Sequence, residues 1–247
     1  MIKINPIQLS ILFLLISCGK HLSSGAGIQK IPNAINIDID KHIDGQYLAV
    51  FETVNQEVTG KITGAFTFSR DTFEDELIAD VRLTNSGSEL IHSQNIRLGT
   101  RCPTREDDLN LDGVIDAKEG EEVYGRILIP LDGDLSSQSS HDGEFPVSDL
   151  YGNYIYSRLT KFSTFIKDLK SEDESEGYVK LKRSEPLYLE GMVVIIHGVD
   201  EAVELPLTAR GAQRLGAHQA LPIACGVINK IIAPPGDIDE ATYSNEF

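Results

Sequence analysis

The sequence predicts an all-β fold, an antiparallel sandwich or barrel with a short helix and long loops. Three observations carry that expectation: short apolar runs alternating with polar residues, turn residues between the runs, and a single segment of helical period. The runs are Gln46–Thr53, Glu57–Ser69, Glu76–Thr84, Leu90–Leu98, Gly125–Leu131, Asn153–Arg158, Leu187–His197 and Ile223–Ile231. Strands spaced in this way suit packed antiparallel sheets.

Each element has its own signal. In the second run Val58, Lys61-Ile62-Thr63 and Phe66-Thr67-Phe68 alternate with Thr, Gly and Ser, so one face should be buried. Asp44-Gly45, Asn85-Ser86-Gly87, Asp132-Gly133 and Tyr151-Gly152-Asn153 punctuate the runs as turns. Phe162, Phe165, Ile166 and Leu169 fall at helical spacing and predict a helix near 161–170, with Thr160 or Ser163 as its N-cap. The acidic run from Ser171 to Gly177 then reads as a solvated loop. No internal repeat is visible.

The chain opens differently. Lys3 precedes an apolar run from Ile7 to Ile16 of about ten residues, half of what a bilayer span needs, so residues 1–17 read as an export signal. Leu15-Ile16-Ser17-Cys18 closes the run and resembles the lipobox of bacterial lipoproteins. That resemblance implies cleavage before Cys18, acylation of its thiol and amino group, and a location in the bacterial cell envelope. Gly19, where an aspartate would hold such proteins at the inner membrane of enteric bacteria, points to the outer membrane. Acyl chains contribute about 0.8 kcal/mol per buried methylene and anchor a domain without a spanning helix. Residues 18–40, with Ser23, Ser24, Gly25 and Gly27, read as a tether, 41–232 as the folded domain, and 233–247 as a tail.

The formal net charge of −16 becomes −17 once Lys3 leaves with the signal. That balance argues against nucleic acid, which needs a basic footprint, and suits solubility and cation binding. With Cys18 committed to lipid, only Cys102 and Cys225 remain, and two thiols in an exported chain form a natural pair.

The sharpest local motif runs from Asp108 to Glu119. Asp108, Asn110 and Asp112 supply side-chain oxygens at positions 1, 3 and 5, Gly113 permits the sharp turn at 6, and Val114 offers its carbonyl at 7. Asp116 stands at 9 and Glu119 at 12, which completes the pattern of an EF-hand calcium loop. A hard calcium ion wants oxygens on every side, so the chain must wrap it, and Ile115 is left to pack inward. Cys102 and Pro103 leave no room for a long entering helix, and only 116–122 offers a short exiting one. The motif is therefore similar to the stand-alone loops of dockerins and other extracellular modules, where the ion staples a loop.

Near the end, the stretch from Leu189 to Asp200, containing Val193-Val194-Ile195-Ile196-His197-Gly198, precedes Leu221-Pro222-Ile223-Ala224-Cys225-Gly226-Val227-Ile228. This resembles the last two strands of copper–zinc superoxide dismutases, over about 189–228 and more weakly over 76–102, with chordin-repeat-type domains a close second relative. The resemblance implies a Greek-key sandwich or flattened barrel, and it supports the Cys102–Cys225 pairing. It also matches His197 to a copper ligand and His92 to a structural histidine. Asn95 and Arg97 stand where two more copper-binding histidines belong; an amide is a poor copper ligand and a guanidinium is a fixed cation. Arg97 is expected to pair with an acid on the neighbouring strand. His141 is a relic of the zinc loop on this reading, and His21, His42 and His218 have no partner at metal-site spacing.

No Gly-x-Ser-x-Gly, phosphate-binding glycine loop or His-Glu-x-x-His is present. The expectation is a non-catalytic, calcium-binding lipoprotein held to the membrane through Cys18. The alternative is a divergent copper- or zinc-binding protein, or a superoxide dismutase-like enzyme, that keeps His92, His141 and His197.

Overall fold

The structure is a computed structural model that describes residues 43–71, 73–138, 144–172, 177–212 and 215–231. The signal and tether, the tail, His141 and most of the acidic run after Ser171 lie outside the described residues. Two five-stranded antiparallel sheets make up the domain, an all-β sandwich as the periodicity predicts.

The first sheet contains β1 (Ile43–Val50), β3 (Thr63–Asp71), β4 (Glu76–Thr84), β7 (Tyr154–Lys161) and β10 (Asn229–Ile231), in the order β10-β1-β3-β4-β7. The second contains β2 (Glu52–Thr53), β5 (Gln94–Arg97), β6 (Ile127–Pro130), β8 (Val193–His197) and β9 (Pro222–Val227), in the order β2-β9-β8-β5-β6. Along β4, Leu77, Ala79, Val81 and Leu83 alternate inward and meet Phe66, Phe68, Ile96, Val194, Ile196 and Ile223 in the core between the sheets. Burying each of the Leu, Val, Ile and Phe side chains stabilises the fold by about 1.5–3 kcal/mol.

Several strand boundaries differ from the sequence expectation, each for a long-range reason. The run 46–53 is two strands, because the chain changes sheets at Phe51, whose amide donates to the Gly64 carbonyl at 3.0 Å. The first residues of 57–69 are not strand: a one-turn helix, α1 (Gln56–Thr59), follows the left-handed Asn55. Of 90–98 only β5 remains in the sheet, since Ile91 bridges Val147 and the His92 amide bonds Pro146. In 187–197, Gly191 turns the chain at φ 84° just ahead of β8. The last run breaks at Ile228, whose amide donates to Met192, and β10 returns to the first sheet beside β1.

The predicted helix is present as α3 (Phe162–Leu169), but neither Thr160 nor Ser163 caps it. Lys161 occupies the cap position, and Asp75 reaches across to accept from the Ser163 amide and hydroxyl.

The second sheet is buried on both faces, with no exposed position in β5, β6 or β8. Its outer face carries a second small core in which Val193, Ile195 and Cys225 pack against Val54, Ile115 and Tyr124. Tyr124 ends α2 (Ala117–Tyr124), and Ile115 belongs to the acidic loop, so the loop and its helix form the cover of this sheet. Cys102 and Cys225 are joined by a disulfide, as the cysteine count predicts, with their Cα atoms 5.6 Å apart.

Candidate metal centre

The loop is set up before it begins. Thr104 and Asp107 cap a single 3-10 turn, Arg105–Asp107, and Arg101 grips the Asp107 carboxylate with two bonds of 2.7 Å. That guanidinium, together with the Thr104 amide, holds the Asp107 carboxyl down at about 2.

From Asp108 the chain reverses through two left-handed residues, Leu111 at φ 58° and Gly113 at φ 96°. Space does not demand glycine at 113, because an added Cβ would meet nothing within 4 Å; the backbone conformation does. The turns are tied by the predicted ligands. Asp108 accepts from the amides of Asp112 and Gly113, Asn110 from that of Asp112, and Asp112 from that of Val114.

Asp116 is the N-cap of α2 and accepts from the amides of Lys118 and Glu119, each at 2.9 Å, while Glu119 accepts in return from the Asp116 amide at 3.0 Å. The other Glu119 oxygen accepts from Leu109 and Asn110 amides, which closes the loop on itself. Ile115 packs inward, as expected, into the second core.

Asp108, Asp116 and Glu119 keep only 7, 0 and 2 % of their surface exposed. Carboxylates removed from water this far need compensating charge or hydrogen bonds. Burial pushes the Asp116 carboxyl up, but Arg210 and the amides of Glu119 and Arg210 outweigh it and leave the group below its ordinary value. Asp112 is shifted the same way, burial being outweighed by the Thr208 hydroxyl, the Val114 amide and Asn110.

Two residues outside the motif complete the loop, and the sequence carried no signal for either role. Asn55 is buried and fixes the loop to the sheet: its amide group donates to the Ile115 and Pro222 carbonyls, each at 3.0 Å, and its oxygen accepts from the Ile115 amide at 2.7 Å. Arg210 donates to Asp116 through Nε at 2.6 Å and through Nη2 at 3.2 Å.

The donor set is all oxygen, four carboxylates and one amide within twelve residues, and its chemistry fits a hard divalent cation. As placed, each carboxylate is turned onto backbone amides, Thr208 or Arg210. Among the described residues no three His, Cys, Asp or Glu side chains share a point a metal would occupy.

The histidine positions lie on the same covered sheet. Asn95, Arg97 and His197 sit on its outer face, where Tyr124 packs against the last two, its ring edge-on to His197 at 6.0 Å and beneath the Arg97 guanidinium at 4.6 Å. Arg97 does not make the expected ion pair. It donates to the Gly125 carbonyl at 3.0 Å and has no carboxylate partner among the described residues, because α2 places a ring and a carbonyl there.

Burial, with the Arg97 charge beside it, drives the His197 imidazole down to about 3, while its Nδ1 faces the Ser93 carbonyl. His92 stacks on Tyr154 and meets the His197 carbonyl through Nδ1; its buried Nε2 has no hydrogen-bond partner among the described residues. Burial lowers its pKa too. His218 bonds the Val203 carbonyl, and His21, His42 and His141 are outside the described residues.

No protein-family model matches the chain, and no match to a curated protein is found. Among the described residues no helix is long and apolar enough to cross a membrane.

Proposed function

We propose that this chain is a calcium-binding lipoprotein of the bacterial cell envelope, anchored through acylated Cys18, that acts as a non-catalytic binding or structural module on a dismutase-like scaffold. One observation carries the calcium reading. Of the four acids in one twelve-residue loop, three are nearly stripped of water, and a single guanidinium among the described residues, that of Arg210, stands within 4 Å of any of them, pairing with Asp116 and Glu119. That leaves the loop short of positive charge, and a divalent cation is the chemical species that offsets it.

Asp108, Asn110, Asp112, the Val114 carbonyl, Asp116 and Glu119 would hold the ion, which would staple the loop over the second sheet. The fixed Arg97 cation beside the buried His197 disfavours the copper or zinc alternative, since the arginine repels a metal at that face.

Loops of this class in extracellular modules bind with Kd values of about 10⁻⁴–10⁻³ M. Calcium at about 10 mM should then add roughly 1.5–3 kcal/mol, which raises the melting temperature by about 3–10 °C. Asp108→Ala combined with Glu119→Ala should abolish that rise, and identical melting curves in calcium and in chelator would sink the reading. Stoichiometric copper in chelator-free protein would favour the alternative. For the anchor, the chain expressed in a bacterial host should enter the detergent phase and incorporate labelled fatty acid. Cys18→Ala should lose both properties, and unlabelled parent protein would refute lipidation.

A further inference from the structure

The proposed ligands are engaged by a segment far away in sequence, the strap Leu207–Arg210 in the connection between β8 and β9. The Thr208 hydroxyl bonds Asp112 Oδ2. The Arg210 amide donates to Asp116 Oδ2 at 3.0 Å, its Nε to the same oxygen at 2.6 Å, and its Nη2 to Asp116 Oδ1 at 3.2 Å. Nη2 also stands 3.6 Å from Glu119 Oε1. Three of the four loop acids thus hold this strap.

We propose that Arg210, seconded by Thr208, is the loop's resident counter-ion and the internal competitor that sets its affinity for calcium; the inference rests on the calcium reading above. The Asp116 and Glu119 side chains are 0 and 1 % exposed, so water does not solvate them, and a cation adds the charge compensation that their amide partners lack. The Arg210 side chain is 46 % exposed, so its guanidinium can move into solvent once another cation takes its place on the acids. A guanidinium and a divalent ion within about 4 Å of the same oxygens repel one another strongly, so calcium entering the loop has to eject the arginine.

Access exists on that side. A cleft of about 380 Å³ is lined by Leu109, Asn110, Glu119, Thr208 and Arg210. Leu207, Thr208 and Arg210 are all exposed, so this part of the strap leans on the loop through polar contacts. Such contacts exchange for water and metal ligands more readily than a packed apolar anchor does. Free of calcium, the strap is the latch that keeps the carboxylates folded onto the protein; with calcium, the latch opens.

The test is Arg210→Gln in the full chain in detergent, titrated with calcium by calorimetry and melted in chelator and in saturating calcium. The variant should bind calcium roughly three- to tenfold more tightly than the parent. It should melt below the parent in chelator, where the buried acids lose their cation, and no lower than the parent in calcium. Arg210→Lys, which keeps the charge and loses the fork, should fall between the two. Equal or weaker calcium binding by Arg210→Gln overturns the proposal, as does a melting loss of the same size with and without calcium, which would mark a purely structural arginine. If neither protein binds calcium, the calcium reading itself fails and this inference with it. Binding by the parent without any gain in the variant removes the latch alone.

Discussion

Replacing both cysteines by alanine, Cys102→Ala with Cys225→Ala, should destabilise the domain by about 2–5 kcal/mol, a loss of roughly 5–15 °C in melting temperature. The bond spans 123 residues, and for a loop of that size the chain-entropy model gives about 5 kcal/mol, usually an upper bound. Packing adds to the effect. Cys225 lies on β9 opposite Ile195 and is fully buried in the second core, so the truncation also removes sulfur from that core. Cys102 stands six residues before Asp108, which makes the disulfide the covalent tie between the acidic loop and the sheet beneath it. The double variant should therefore bind calcium more weakly as well. Urea unfolding at neutral pH under non-reducing conditions measures the stability term, and a variant within about 1 kcal/mol of the parent would refute it.

Acid should weaken the fold from a higher pH than its carboxylates require. His197 is pushed from an ordinary 6.5 to about 3 by burial and by Arg97. The unfolded chain therefore takes up a proton near pH 6.5 that the folded chain refuses. Stability from the neutral imidazole is fully present above pH 6.5 and is lost as the pH falls toward 3, by about 1.4 kcal/mol per pH unit. At pH 4.5 the loss is about 3 kcal/mol, and His92, lowered by its own burial, shifts the balance in the same direction.

Asp107, Asp112 and Asp116, whose folded values lie below 3.8, withdraw their stabilisation only at lower pH. The window from 6.5 to 4.5 is thus left mainly to the imidazoles. His197→Asn, which keeps a donor toward the Ser93 carbonyl, should flatten the drop in that window when unfolding is followed in chelator. A variant as acid-sensitive as the parent there would show that the cost lies elsewhere.

The parts of this protein that read directly from the sequence are those whose partners are close along the chain. Alternation in 76–84 identified β4 to the residue, because a period of two decides which face is buried. The spacing of Phe162, Phe165, Ile166 and Leu169 located α3 within a residue at each end. The turn residues of the acidic loop, Gly113 above all, and the start of α2 at Asp116 follow from hydrogen bonds that span five residues or fewer. The disulfide came from counting, which needs no geometry.

Closure of the two sheets decided the rest. Whether the chain stays in one sheet at Phe51 or returns at Ile228 depends on amide partners at Gly64 and Met192, and no local periodicity encodes them. Asn55 bonds Ile115 across 60 residues, and Arg210 reaches Asp116 across 94. Both are polar residues in irregular segments, where composition alone announces nothing. Arg97 was expected to find a carboxylate, and it found the Tyr124 ring and the Gly125 carbonyl because α2 lies across the sheet at that point. Spacing along the chain selects hydrogen bonds a few residues apart; which charge finally faces a buried acid is set only when distant segments are packed against one another and water has been expelled between them.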